Sequence, residues 1–142
     1  EKTTDVDQDA AIRLIKDCKE HGVGRFVMIS ALGADPNSES ARIQHYLRAK
    51  GVADGYLRSS GLDYTILAPG TLLDEKGTGR IQAAEELGFH GFLPREDLAV
   101  CIIETLRNFY TLGKTIEIVS GADKIKDAIV EVAGGGDLPP IL

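Results

Sequence analysis

Apolar and polar positions alternate between helical and extended patterns along the whole chain. Over residues 7–21, Ala11, Leu14, Ile15 and Cys18 recur at i, i+3, i+4 and i+7, the stripe of an amphipathic helix. Asp5 or Asp7 can cap its start, and Gly22 can end it. Residues 25–31 change period. Phe26-Val27-Met28-Ile29 is apolar on both faces, as expected of a strand covered by helices on each side. Residues 33–40 form a loop by their turn chemistry. Residues 41–60 return to helix, closed by Gly61, and residues 63–68 make a second strand that Pro69-Gly70 stops. Residues 71–94 are rich in glycine and charge and have no clear period, which predicts a functional loop or a small excursion. Residues 96–108 predict a helix with Ala99, Ile102, Ile103 and Leu106 inward and Asp97 near its N-terminus, where a carboxylate is favourable. A short strand over 115–119 and a helix over 123–132, with Ile125, Ala128, Ile129 and Val132 in stripe, complete the pattern. Residues 134–142 read as a flexible tail.

Helices alternating with strands in this way predict an α/β fold with a parallel sheet and helices on both faces. In open sheets of that kind ligands bind at the carboxyl ends of strands. Those ends are Ser30-Ala31 and Ala68-Pro69-Gly70.

Composition narrows the function classes. At 142 residues, 43% hydrophobic and 27% charged, the chain suits one soluble domain with a real core. A net charge of -6 argues against nucleic acid as a partner, which needs clustered Lys and Arg. No apolar run approaches the ~20 residues of a membrane-spanning helix, so no membrane partner is expected. Cys18 and Cys101 have neither metal spacing nor the density of a disulfide scaffold, and read as small hydrophobes in a reducing cytoplasm. His21, His45 and His90 have no metal spacing, so no metal site is expected.

Tyr46 and Lys50 carry the candidate chemistry. Four residues apart in a predicted helix, they share a face. An ammonium beside a phenol favours the phenolate, and a tyrosine so placed can exchange a proton with a substrate. The bland alternative is an amphipathic helix whose Tyr packs inward and whose Lys snorkels. Ser30 could equally finish a strand, Arg95 and Asp97 could simply suit a helix N-terminus, and Gly51 and Gly55 could mark a close approach or a tolerated defect.

Gly22-Val23-Gly24-Arg25-Phe26-Val27-Met28-Ile29-Ser30, then Tyr46-x-x-x-Lys50, then Leu62-Asp63-Tyr64-Thr65-Ile66-Leu67-Ala68-Pro69-Gly70, then Pro94-Arg95-Glu96-Asp97-Leu98-Ala99 stand in one order. Over residues 5–133 this series resembles the atypical branch of the short-chain dehydrogenase/reductase superfamily, NAD-dependent epimerase/dehydratase-like or NmrA-like. The resemblance implies a Rossmann-like fold and NAD or NADP as cofactor. It implies Tyr46 as acid/base, Lys50 as its electrostatic partner and ligand of the nicotinamide ribose, Ser30 as a polar contact to substrate or cofactor, and Pro69 and Gly70 beside the nicotinamide.

Two departures qualify it. The place usually held by the catalytic serine is Ala31. The strand, Gly-rich turn and helix that hold the pyrophosphate in that family have no counterpart. Gly22-Val23-Gly24 precedes a strand, Gly77-Thr78-Gly79 lacks a third glycine, and Gly134-Gly135-Gly136 lies in the tail. The expectation is therefore the C-terminal part of a Rossmann-like fold. Residues 1–133 would form a single, N-terminally incomplete NAD(P)-binding domain of a longer protein, monomeric or homodimeric, with a small carbonyl or sugar-type substrate. The alternative is a non-catalytic NAD(P)-binding sensor or assembly protein of the same fold.

Overall fold

The computed structural model describes residues 8–34 and 44–134. The proposed caps Asp5 and Asp7, most of the 33–40 loop, the first three residues of the 41–60 helix and the tail from 135 onward lie outside the described residues.

Helix α1 (Ala11–Glu20) leads into strand β1 (Phe26–Ile29), helix α2 (Gln44–Arg58) and strand β2 (Tyr64–Pro69). Gly22 and Gly61, both at positive φ, turn the chain out of the two helices. Strands β1 and β2 pair in parallel, Phe26 opposite Tyr64 through Ile29 opposite Leu67. Strand β6 (Thr115–Ser120) adds in parallel on the far side of β2.

The segment 71–94 is more regular than its sequence suggests. It holds β3 (Thr71–Leu73), β4 (Arg80–Ala84) and β5 (Phe92–Pro94). Strand β4 joins the main sheet antiparallel to β6, and β7 (Asp123–Lys124) pairs antiparallel with β4, giving the order β1-β2-β6-β4-β7. Strands β3 and β5 form a separate parallel pair. Strands β3 and β5 have three residues each, and β4 carries a single large apolar residue, Ile81, between Arg80 and Gln82, so none of them stands out as an apolar run. Helix α3 (Arg95–Leu106) and helix α4 (Ile125–Val132) follow β5 and β7 directly.

Strict alternation along the strands builds two cores. Ile66 of β2, with Phe26 and Met28 of β1, meets Ile15 of α1 and Leu57 of α2. Leu67 faces the other way. With Val27, Ile29, Ile81, Ile116 and Ile118 it packs against Leu98 and Cys101 of α3 and Ile125, Ala128 and Ile129 of α4. The sheet thus has helices on both faces, as the doubly apolar β1 run required.

Two stripes are turned from their expected positions. In α1, Ile15 is fully buried while Leu14 faces solvent. In α3 the inward residues are Asp97, Leu98, Cys101 and Thr105, whereas Ala99, Ile103 and Leu106 are exposed. Val100, Ile103 and Leu106 make the outer face of α3 as apolar as the inner one, so periodicity could not choose between them. The buried face carries the Asp97 carboxylate, which accepts from the N–H groups of Thr78 and Gly79.

A polar cluster closes the amino ends of the strands. Arg25 donates to Thr111 Oγ1 at 2.9 Å and to the Thr105 carbonyl at 3.3 Å, and Thr65 Oγ1 donates to the Thr111 carbonyl at 2.7 Å. Burial pushes the Arg25 guanidinium below its ordinary pKa, with Asp63 opposing.

At the opposite ends, Pro69-Gly70 is where the chain leaves the main sheet. Gly70 N–H still donates to Ile118, and Thr71 N–H donates to the Gly91 carbonyl. A Cβ at Gly70 would collide with that same carbonyl oxygen, and one at Gly91 would lie 2.9 Å from the Val119 side chain. Two glycines therefore let β2 run past the 90–91 backbone. Leu67→Ala should remove about 2–5 kcal/mol of stability, because it empties a fully buried position between two strands and two helices; chemical denaturation measures the loss.

Candidate functional site

Parallel pairing brings the ends of β1 and β2 to one level. Beyond β1 the register continues, with Ser30 N–H donating to Leu67 and Leu32 N–H donating to Pro69. Ser30 follows Phe26 and Met28 in the alternation, so its side chain turns to the α2 side. It is 3% exposed.

Helix α2 presents a single stripe to that level. Tyr46, Lys50, Asp54 and Arg58 succeed one another at i+4. Tyr46 is 37% exposed. The Lys50 ammonium lies 5.8 Å from the centre of the Tyr46 ring and donates to the Ile29 carbonyl at 3.2 Å. Lys50 thus ties the helix to the end of β1. Asp54 is 3% exposed and accepts the Ser30 hydroxyl proton on Oδ2 at 2.5 Å. Arg58 donates to Thr115 Oγ1 at 2.9 Å.

A cavity of about 350 Å³ opens at this level. Ser30, Ala31, Tyr46, Pro69 and Gly70 line it, with Thr71, His90 and Arg95 on the far wall. Four of the five residues singled out from the sequence therefore meet at one cavity, and the fifth, Lys50, stands behind Tyr46. The far wall comes from the segment 71–94 and the residue that follows it. Thr71 Oγ1 and His90 Nε2 are 3.0 Å apart, and Arg95 pairs with Asp74 at 2.5 Å. His45 is exposed, as its place on α2 suggested.

Asp54 escaped the sequence reading. Its signal was available: it continues the Tyr46–Lys50 spacing by one more turn. Burial raises its carboxyl pKa, opposed by the Ser30 hydrogen bond and then by the charges of Arg58 and Lys50. A second cavity of about 310 Å³ lies against it, lined also by Arg58, Glu85, Glu86 and Glu117.

The run Gly77-Thr78-Gly79 could be mistaken for a phosphate-binding turn, but its amides are engaged. Gly77 N–H donates to Glu96 at 2.8 Å, and the N–H groups of Thr78 and Gly79 donate to Asp97 at 3.0 and 2.9 Å. A Cβ at Gly77 would sit 2.7 Å from Asp97 Oδ1. Asp97, 2% exposed, is an internal anion in an amide nest. It does more than suit a helix N-terminus. Among the described residues, no Gly-rich turn follows a strand with free amides. The strand-end cavity has the space and the side-chain-poor wall that a flat ring needs, and no amide cradle for a pyrophosphate stands among the described residues.

A sequence model of the family described as NAD(P)H-binding matches residues 1–109. The chain belongs to that NAD(P)H-binding family. It is 37% identical over 130 residues to a Bacillus subtilis (strain 168) protein named "Uncharacterized sugar epimerase YhfK", covering 91% of this chain and 60% of that protein. A Bacillus halodurans structure described as a candidate NAD-dependent epimerase/dehydratase superposes with a TM-score of 0.87 at 35% identity, over 92% of this chain and 62% of that one. The Escherichia coli O157:H7 anaerobilin reductase ChuY superposes with a TM-score of 0.74 at 30% identity, over 83% and 60% of the two chains. The chain thus spans about 60% of the length of each of these three relatives. Its family is one of NAD(P)-binding oxidoreductase- and epimerase-like proteins with NAD or NADP as cofactor. No helix among the described residues is long and apolar enough to cross a membrane.

Asp97→Ala should cost roughly 1–3 kcal/mol by leaving two amides without their acceptor. Hydrogen exchange at Thr78 and Gly79 should accelerate in the variant, and unchanged exchange there would contradict the nest.

Proposed function

We propose that this chain forms the substrate- and nicotinamide-facing part of an NAD(P)-dependent oxidoreductase or epimerase-like protein acting on a small carbonyl or sugar-type substrate. The observation that carries the proposal is the meeting of Ser30, Tyr46, Pro69 and Gly70 around one cavity at the strand ends, with Lys50 against the tyrosine ring. The unit would run over residues 1–133, with a small molecule as its partner.

When bound, a nicotinamide supplies or accepts a hydride. The chain's own residues do the rest. Tyr46 gives a proton to a carbonyl oxygen, or takes one from an alcohol, at the open face of the cavity. Lys50 holds positive charge beside the phenol and is the ribose partner in this reading. Ser30 is the polar contact at the end of β1. Pro69 and Gly70 offer a flat, side-chain-poor surface against which a ring can lie.

A second reading has its own support. Ala31 lines the cavity in the place where a hydroxyl is usual, and the Ser30 proton is already committed to Asp54. Both favour a protein that binds the dinucleotide as a sensor or assembly module without turnover.

Tyr46→Phe separates the two. Under the enzyme reading, cofactor-dependent turnover should fall by on the order of 10²–10⁴ while NADH or NADPH affinity, followed by fluorescence, stays constant. The comparison uses whichever substrate of a carbonyl and nucleotide-sugar panel the unmutated protein turns over. Saturable cofactor binding with no turnover across that panel would favour the sensor.

A further inference from the structure

Ser30 and Asp54 form a closed pair that the Tyr46–Lys50 chemistry does not require. A serine hydroxyl has one proton and two lone pairs, and an ionised carboxylate can only accept. At 2.5 Å, the contact has the length of a hydroxyl-to-carboxylate hydrogen bond. The proton of Ser30 is therefore spent on the α2 side. Its lone pairs are what remain for the cavity that Ser30 also lines.

We propose that Asp54 is a positioning residue that fixes the direction of the Ser30 hydroxyl proton, so that Ser30 meets the cavity as a hydrogen-bond acceptor. The group seated opposite it must then be a donor, such as an alcohol O–H or a carboxamide N–H. A carbonyl oxygen is the wrong partner while Asp54 is ionised. Protonation of Asp54 reverses the arrangement: the carboxyl group donates to Ser30, and Ser30 donates into the cavity.

The surroundings make both states accessible. Asp54 is almost wholly buried, and its Oδ1 has no hydrogen-bond partner among the described residues. Burial favours the protonated form, with Ser30, Arg58 and Lys50 pulling the other way. Ser30 faces Asp54 from the end of β1, and Lys50 and Arg58 lie on its own helix. Glu117 of β6 and Glu85 and Glu86 beyond β4 line the cavity beside it. A carboxyl whose folded pKa lies above its unfolded value weakens the fold as pH rises from the ordinary carboxylate range, near about 4, through the folded value. Asp54→Asn should remove that part of the pH dependence of stability.

The inference deepens the proposed function and rests on it for the nature of the cavity's occupant. The pair itself can be read without cofactor or turnover. The experiment is NMR on the whole chain labelled with ¹³C at aspartate and serine, titrated across the range from about pH 3 to 9. The Asp54 carboxyl carbon should titrate above the ordinary carboxylate range. Ser30→Ala should move that midpoint further up, because the hydrogen bond to the ionised form is lost. Above the midpoint, the Ser30 hydroxyl proton of the unmutated chain should appear at low field. It should show cross-peaks to the Asp54 β-protons and none to the Tyr46 ring, and Asp54→Asn should abolish that low-field signal. A midpoint unmoved by Ser30→Ala in a folded variant would overturn the proposal. If that variant does not fold, a Ser30 hydroxyl proton contacting Tyr46 in the unmutated chain would overturn it equally. Failure of NADH or NADPH to bind would count against the proposed function and leave the pair intact.

Discussion

The parallel pairing of β1 with β2 is the constraint on which the rest of the structure depends. Parallel neighbours must end on the same side of the sheet, and the chain between them must travel back along its face. Here that return is α2. Its first described turns lie beside the carboxyl ends of both strands, so the helix delivers Tyr46, Lys50 and Asp54 where Ser30 and Pro69 finish. The hydrogen bonds from Lys50 to the Ile29 carbonyl and from Ser30 to Asp54 fix the helix to the strand end at two successive turns. Ladder, crossover and site are one arrangement.

The two ends of the sheet divide the work. At the amino ends, Arg25, Thr65, Thr105 and Thr111 form a buried polar cluster that ties β1 and β2 to the turn after α3. At the carboxyl ends the packing is kept open by small residues: Ala31, Gly70 and Gly91 hold the backbone close without filling the cavity. The segment between β2 and α3 supplies the outer wall, and the Asp97 carboxylate binds part of that segment to the start of α3. Charge is thus used internally to shape a wall, where similar glycine-rich stretches elsewhere use their amides to hold phosphate.

Much of this was legible in the sequence. The four helices were long enough for their periods to show, and the parallel strands stood out as apolar-rich runs, of which Phe26–Ile29 announced helices on both faces. Tyr46 and Lys50 could be singled out by their spacing in a helix between two strands, and Ser30, Pro69 and Gly70 by the family resemblance that their strand ends carry. What stayed hidden had physical reasons. Strands β3, β5 and β7 are three residues or fewer, and β4 has Ile81 as its one large apolar residue and runs against the direction of its neighbour β6. The rotation of α3 could not be read because both of its faces are apolar. Asp54 went unnoticed because a charged residue in a helix is normally solvated, and only its partner across the sheet end shows otherwise. The role of Asp97 was underestimated for the same reason: its acceptors' partners lie about twenty residues back in the chain, beyond any local pattern.

The i+4 stripe on α2 makes the helix a ruler. Tyr46, Lys50 and Asp54 hold their places against β1 only while the residue count between them is kept. One inserted or deleted residue within 46–54 would turn everything beyond it by about 100° and shift it by about 1.5 Å along the axis. The tyrosine at the cavity, the lysine at the strand end and the buried carboxylate would then lose register together. A change of length at this site is therefore disruptive inside the helix, where replacing one side chain with another keeps the register.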